Sequence, residues 1–447
     1  VQDTPDIADR HDAICVIGAG AGGLVAIKNL REHGFAVDCY ERETSVGGAW
    51  NWRHDRSPMY ASTHLISSRP LTEFPDFPMP DDWPDYPHHT QVLSYLERYA
   101  EHFGLGAHIW FGTEVVSAVP VGDGRWDVTT RSTGGGAERV QRYAGLVVAN
   151  GHNWDPAKPE IPGEFRGQVI HAAAYQDTAQ LRNRKVLVIG GGNTGCDIAV
   201  EAAQQAATVW HSTRRGYWYA PKYLFGRPSD QVNDRLLRLR LPLPVRQWLY
   251  RRTVGLTVGD LTRFGLPAPD HKPYETHPIV NSQLPFYLAH GRITAVPDVT
   301  RFDGAAVELA DGRRVEPDLV ITATGYRARF EFLAPEILDT DADGRPDLHL
   351  HAFARKHPTL AVVGLLQGDA GVFPLAHWQS VAIARWLRLR TTDPVRAAAV
   401  QQKESTRPVG GWSRTKVVHT RRHWFEVDHV NYLRSVEGLL REMETSK

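Results

Sequence analysis

Cysteine is scarce in this chain. Its 447 residues include three, Cys15, Cys39 and Cys196, and no two of them form a CxxC pair. That spacing excludes a redox dithiol and a zinc knuckle, and so few thiols predict a reducing, cytoplasmic setting. Charge of one sign is missing as well. The 51 Lys and Arg balance 51 Asp and Glu, which leaves no electrostatic case for a nucleic-acid partner. Apolar runs such as "LAVVGLL" (360–366) fall far short of the roughly 18 residues that span a bilayer, so no transmembrane segment is expected. No Ser/His/Asp or paired-carboxylate constellation stands out. The 21 histidines are scattered, the pair in "PHH" (87–89) reads as loop surface, and no metal site is expected. The remainder, 42% hydrophobic and 23% charged, reads as an ordinary soluble globular protein with two or three domains at about 150 residues each.

Against those absences, one pattern occurs twice. The segment "AICVIGAGAGGLVAIKNLREHGFAVDCYERE" (13–43) reads as strand, glycine turn, helix, strand. A buried apolar run, Ile14 to Ile17, leads into Gly18, Gly20 and Gly23 in GxGxxG spacing. The first glycine permits the tight turn, the second lets backbone approach a pyrophosphate, and the third lets the helix pack close. Beyond the second strand stands Glu41, a carboxylate able to accept from both hydroxyls of an unmodified adenosine ribose. The second copy, "KVLVIGGGNTGCDIAVEAAQQAATVWHSTRRG" (185–216), carries Gly190, Gly192 and Gly195. Glu41 follows Gly18 by 23 positions, and the same offset from Gly190 lands on Thr213, flanked by Ser212, Arg214 and Arg215. Hydroxyls and guanidinium forks in place of a carboxylate suit a phosphate ester. The second nucleotide is therefore expected to bear a 2′-phosphate, as NADP(H) does, and the first to be FAD. At least one of the two arginines is expected to hold that phosphate.

Between the fingerprints, "HIWFGTEVVSAV", "GRWDVTTR" and "ERVQRYAGLVVANG" read as strands separated by turns. "HNWDPAKPEIPG" (152–163) reads as a domain linker. Residues 217–276 show no clear period, and the basic, aromatic "RLLRLRLPLPVRQWLYRR" (235–252) suggests a solvated, partly helical insertion packing on the second nucleotide domain or on a subunit partner. Pro242 and Pro244 argue against one long amphipathic membrane helix. The segment 292–325 carries two Asp-Gly turns and a closing buried strand, and 364–387 reads as a loop followed by an apolar helix. The expected fold is α/β, with two doubly wound Rossmann-like domains, the NADP domain inserted in a discontinuous FAD domain. The expected boundaries are 1–158, 159–322 and 323–447.

Over nearly its whole length the chain resembles the flavin-containing monooxygenases. "FRGQVIHAAAY" (165–175) matches the family pattern FxGxxxHxxxY through Phe165, Gly167, His171 and Tyr175. Baeyer–Villiger monooxygenases carry a similar motif that usually ends in tryptophan. His171 reads as a hydrogen-bonded structural residue near an interdomain joint. "VGGAWNW" (46–52), "EFPDFPMPDDWPDYP" (73–87), "ANGHNWDPAKP" (149–159), "GGGNTGCDIAVE" (190–201) and "ATGY" (323–326) are also family-like. The resemblance implies that Gly48, Ala49 and Trp50 lie along the flavin cofactor and that Gln379 is near its ring. With Gly18, Gly20, Gly23, Glu41, Arg42 and Val115 they form the expected FAD set. Gly190, Gly192, Asn193, Thr194, Gly195, Ser212, Thr213, Arg214 and Arg215 form the NADP(H) set, and Ala323, Thr324 and Gly325 complete the cofactor-binding residues.

One departure concerns the reacting centre. Where many members place Thr-Asn, "YASTHLISSRP" (60–70) supplies Leu65 and Ile66. Isoleucine cannot donate the hydrogen bond of the usual asparagine, so His64 and Ser67, with Ser68, are the candidates to replace it, and the expected catalytic set is His64, Ile66 and Ser67. The resemblance implies NADPH-dependent insertion of one atom of O2 into a sulfide or amine through a flavin C4a-hydroperoxide. Two alternatives stay open, Baeyer–Villiger oxidation of a ketone and a flavin-dependent NADPH oxidase or reductase. The expected partners are a small molecule and O2, with a homodimer as the working assembly.

Overall fold

The computed structural model describes residues 8–341, 344–405 and 424–444. It separates into two compact units. The first comprises 1–55, 67–152 and 328–447, and the second comprises 56–66 and 153–327.

The first unit is built on a parallel sheet. Its parallel strands run, from one side, Leu360–Val362, Arg139–Val148, Ala8–Ile17, Ala36–Tyr40 and Ile109–Trp110. Cys15, Ile17, Leu146, Val148 and Val362 are sealed on its faces, as the unbroken apolar runs of doubly covered strands require. The helix Ala21–Glu32 connects the first two strands, and Val25, Ile27 and Leu30 on it are fully buried. The three strand-like runs between the fingerprints form an antiparallel excursion, Thr113–Val121 pairing Arg125–Ser132, which in turn pairs Arg139–Val148. The apolar C-terminal segment is the 20-residue helix Phe373–Thr392, with Ile383, Ala384 and Trp386 inward.

In the second unit, five parallel strands lie in the order Thr294–Val296, Thr208–Ser212, Lys185–Ile189, Leu319–Thr322, Gln168–His171. The alanine-rich helix Asn193–Gln205 packs Ile198, Ala199, Ala202 and Ala203 on this sheet. The two Asp-Gly turns fall at Gly304 (φ 66°) and Gly312 (φ 83°), joining antiparallel strands 299–304, 306–309 and 314–315. The unperiodic insertion contains the helices Ser229–Arg238 and Leu243–Thr257, the second carrying Pro244 in its first turn, where a missing N–H costs nothing.

The entry into and exit from this unit differ from a plain linker. Asp155–Pro156 pairs antiparallel with Tyr326–Arg327, Ala157 N–H donates to Gly325 O at 2.9 Å, and Arg327 pairs with Asp155 at 3.0 Å. The unit accordingly runs 153–327, where the sequence suggests 159–322. The larger difference is the segment 56–66, which the pattern of fingerprints assigns to the FAD domain but which packs with the second unit. Its side chains explain this: Tyr60 is buried in the second unit's core with Tyr175, Leu181 and Ile198.

Candidate functional site

Both glycine turns are built so that no side chain fits. In the first unit Gly18 has φ +99°, and a Cβ there would lie 2.7 Å from Ala149 O; a Cβ on Gly23 would lie 1.8 Å from Gly18 O. Gly48 (φ +53°) sits against the same turn, its Cβ position 2.8 Å from the Cα of Gly20, and Gly47 N–H donates to Ala19 O at 3.1 Å. The "VGGAW" residues Gly48, Ala49 and Trp50 thus form a short 3-10 turn stacked on the phosphate turn, with the Trp50 ring edge-on to Phe373. Glu41 is buried. Its carboxylate accepts from Ala19 N–H at 2.6 Å and Glu43 N–H at 2.9 Å. Burial pushes its pKa up, opposed by those two N–H donors. Two further acceptor positions on a carboxylate remain for ribose hydroxyls. Arg42 is half-buried beside Glu43 (3.5 Å) and Glu114 (4.0 Å), and Val115 is a partly buried strand residue against the first unit's core.

The second turn repeats the construction. Gly190 (φ +132°) would place a Cβ 2.3 Å from Ala323 O, and Gly195 one 2.0 Å from Gly190 O. Gly192 is the N-cap of the Asn193–Gln205 helix, whose first turn, with Thr194, offers the backbone N–H groups of a helix N-terminus, which favour an anion. Asn193 Oδ1 accepts from Val280 N–H at 2.8 Å. Thr324 Oγ1 donates to Ala157 O at 2.6 Å, beside the entry strand. At the strand end, where Glu41 stands in the first unit, Ser212 donates to Pro297 O at 2.8 Å. Thr213 is buried with its Oγ1 unpartnered, as is Nε of Arg215. Orphaned buried polar atoms demand a partner, and a phosphorylated ribose would supply one. Arg214 is exposed. Arg215 is half-buried and donates to Asp270 at 2.8 Å. Burial would raise the Asp270 pKa, but hydrogen bonds from Arg215 and His271 outweigh it and hold it below the usual range.

Asp270 was not legible in the sequence, because it lies 55 positions from Arg215 in the insertion that shows no period. The His171 reading, by contrast, finds a physical account. Its Nδ1 accepts from Ala173 N–H at 3.1 Å, so Nε2 carries the proton and donates to Gly325 O at 3.1 Å. Burial pushes its pKa down, which suits a neutral bracket between the 168–171 strand and the exit strand.

The expected catalytic residues lie within four consecutive positions at the limit between the units, which falls between Ile66 and Ser67. His64 is exposed, its Nδ1 2.6 Å from Ser62 O. Ile66 is half-buried, and Ser67 hydrogen-bonds Thr72 at 2.8 Å. Gln379 is wholly buried, its Oε1 accepting from Gly364 N–H at 2.9 Å and its Nε2 facing Tyr432 Oη at 2.7 Å and Leu350 O at 3.3 Å. Its amide thereby ties the long helix to the backbone at Gly364. Among the described residues no group of three or more His, Cys, Asp or Glu could hold a metal ion, and no helix is long and apolar enough to cross a membrane.

Comparison with known proteins agrees with two nucleotide turns in one chain. A mouse protein named dimethylaniline monooxygenase [N-oxide-forming] 2 is 31% identical over 444 residues, 94% of this chain and 81% of its own length. The solved S-allyl-L-cysteine S-oxygenase of Allium sativum superposes with TM-score 0.66 at 23% identity, covering 98% of this chain and 90% of that one. A cyclohexanone-bound cyclohexanone monooxygenase gives TM-score 0.71 at 20% identity, with 97% and 98% coverage. The family model described as flavin-binding monooxygenase-like matches residues 11–442. The chain belongs to the flavin-binding monooxygenase-like family and is a flavoprotein monooxygenase.

Proposed function

We propose that the chain holds FAD in its first unit and NADP(H) in its second, and transfers one oxygen atom of O2 to a sulfide or amine. The other oxygen leaves as water, with the two electrons coming from NADPH. The observation that carries this reading is the contrast between equivalent strand ends. Glu41 offers buried acceptors to an unmodified ribose, whereas Ser212, Thr213, Arg214 and Arg215 offer hydroxyls and guanidinium groups to a 2′-phosphate. The glycine cradles and the orphaned Thr213 hydroxyl fit those two groups.

Bound flavin and nicotinamide supply the hydride and oxygen chemistry, so no protein nucleophile is required. The chain's part is to bind and orient. Gly18, Gly20 and Gly48 admit backbone close to the first pyrophosphate, and Gly190 with the helix at Gly192 does so for the second. Arg214, exposed at the strand end, offers its guanidinium to the 2′-phosphate, while Asp270 fixes Arg215 beside it. The mouse relative's name speaks of N-oxide formation and the garlic protein's of S-oxygenation, which supports a soft nucleophile as substrate. Three buried cysteines, Cys15, Cys39 and Cys196, support a reducing, cytoplasmic setting.

A second reading, oxygenation beside a ketone, is favoured by Leu65 and Ile66 at the position of the usual polar pair and by the likeness in fold to cyclohexanone monooxygenase. Tyr175 in place of tryptophan favours the first. Supplying a thioether and a small ketone to equal amounts of enzyme separates the two. Sulfoxide as the main product is expected, and lactone or ester as sole product would overturn the proposal.

A further inference from the structure

The segment 56–66 is a strap: it leaves the first unit after residue 55, joins the second, and returns at 67. Its fastening uses one face of the helix that starts at the second glycine turn. Asp197 and Glu201 stand one helical turn apart there, a spacing at which two carboxylates repel. Each is turned to use by hydroxyl donors. Tyr60 Oη donates to Asp197 Oδ2 at 3.3 Å, and Asn281 Nδ2 to Oδ1 at 2.7 Å. Glu201 accepts from Ser62 Oγ on one oxygen and from Tyr175 Oη on the other. Ala61 N–H donates to Gln176 O at 2.7 Å, and the rings of Tyr60 and Tyr175 lie 5.5 Å apart. Tyr175 closes the FxGxxxHxxxY motif, and nothing in the nucleotide sites uses it.

At its other end the strap follows, within six residues, the Gly48–Trp50 turn that packs on the first glycine turn. The hydrogen bonds through which Tyr60 and Ser62 hold the strap therefore lie within the second unit, on the helix that starts at its glycine turn. We propose that Tyr175, Glu201 and Asp197 are positioning residues that fasten the 56–66 strap to the coenzyme helix, so that NADP⁺ binding at the second turn tightens the strap. The coenzyme's part in this rests on the functional reading above. The device explains why a tyrosine, with a hydroxyl to donate, ends the motif here.

The test is amide hydrogen exchange on the FAD-loaded protein, with and without NADP⁺, read on peptides covering 56–66. Wild type is expected to gain protection there on adding NADP⁺. Tyr175→Phe and Glu201→Gln should raise exchange in 56–66 by about tenfold, since one or two hydrogen bonds are lost, and abolish the NADP⁺-dependent gain. NADPH affinity should stay within about twofold. Ser62→Ala, at an exposed site, should reproduce a smaller rise should a core variant fail to fold. Unchanged exchange in 56–66 in all three variants, or a rise spread evenly over the second unit, would overturn the strap. Should NADP⁺ fail to bind wild type at all, the functional reading falls, while exchange without coenzyme still decides the fastening.

Discussion

Replacing Arg214 by alanine gives a decisive measure of the second nucleotide site. Its guanidinium is exposed, whereas that of Arg215 is committed to Asp270 at 2.8 Å. A hydrogen bond to a charged group contributes about 1.5–3 kcal/mol, and solvent screening at an exposed site pulls the value to the low end. About 1.4 kcal/mol is tenfold. Arg214→Ala should therefore raise the Michaelis constant for NADPH about tenfold while leaving that for NADH within about twofold. The affinity for 2′,5′-ADP should fall by a similar factor, and that for ADP should not. Arg215→Ala should have the smaller effect, roughly threefold, because the side chain must be shared with Asp270. Equal losses with both coenzymes, or a larger effect at Arg215, would refute the assignment of the 2′-phosphate to this strand end.

Other expectations follow from the same geometry. Gly23→Ala puts a methyl carbon 1.8 Å from Gly18 O and should abolish FAD retention, whereas Gly106→Ala, with nothing within 4 Å, should leave flavin content and melting temperature unchanged; flavin absorbance after gel filtration checks both. Glu41→Gln should weaken FAD binding roughly tenfold, because one oxygen that accepts a backbone N–H becomes a donor, as read by flavin release on dilution. Burial pushes the Asp197 pKa up to about 6, with the charge of Lys222 and hydrogen bonds from Asn281 and Tyr60 opposing and Glu201 reinforcing the rise. A folded pKa above the unfolded value of 3.8 means that the stabilising contribution is present below about pH 4 and is lost as pH rises through 6. The melting temperature of Asp197→Asn relative to wild type should therefore climb between pH 4 and 7, and a flat difference would contradict the burial argument.

The two glycine fingerprints were legible because local chemistry dictates them. A tight turn needs positive φ at Gly18 and Gly190, and close packing needs no Cβ at Gly23 and Gly195. The two sheets followed from the apolar strands that lead into those turns. Long-range partners were not legible. Nothing near Arg215 announces Asp270, nothing near Gln379 announces Tyr432, and the exit strand 326–327 pairs with 155–156 across 170 or so intervening positions. The strap was hidden for a related reason. Its allegiance is set by Tyr60 and Ser62 meeting carboxylates on a distant helix, and sequence order places it in the other unit.

The central claim is that electrons from NADPH end in an oxygenated product. Counting sulfoxide formed per NADPH oxidised, with a simple thioether, air and the purified yellow protein, tests it most directly. The account predicts a ratio near one, with little hydrogen peroxide. NADPH consumption matched wholly by peroxide, with no sulfoxide and no other oxygenated product, would contradict it.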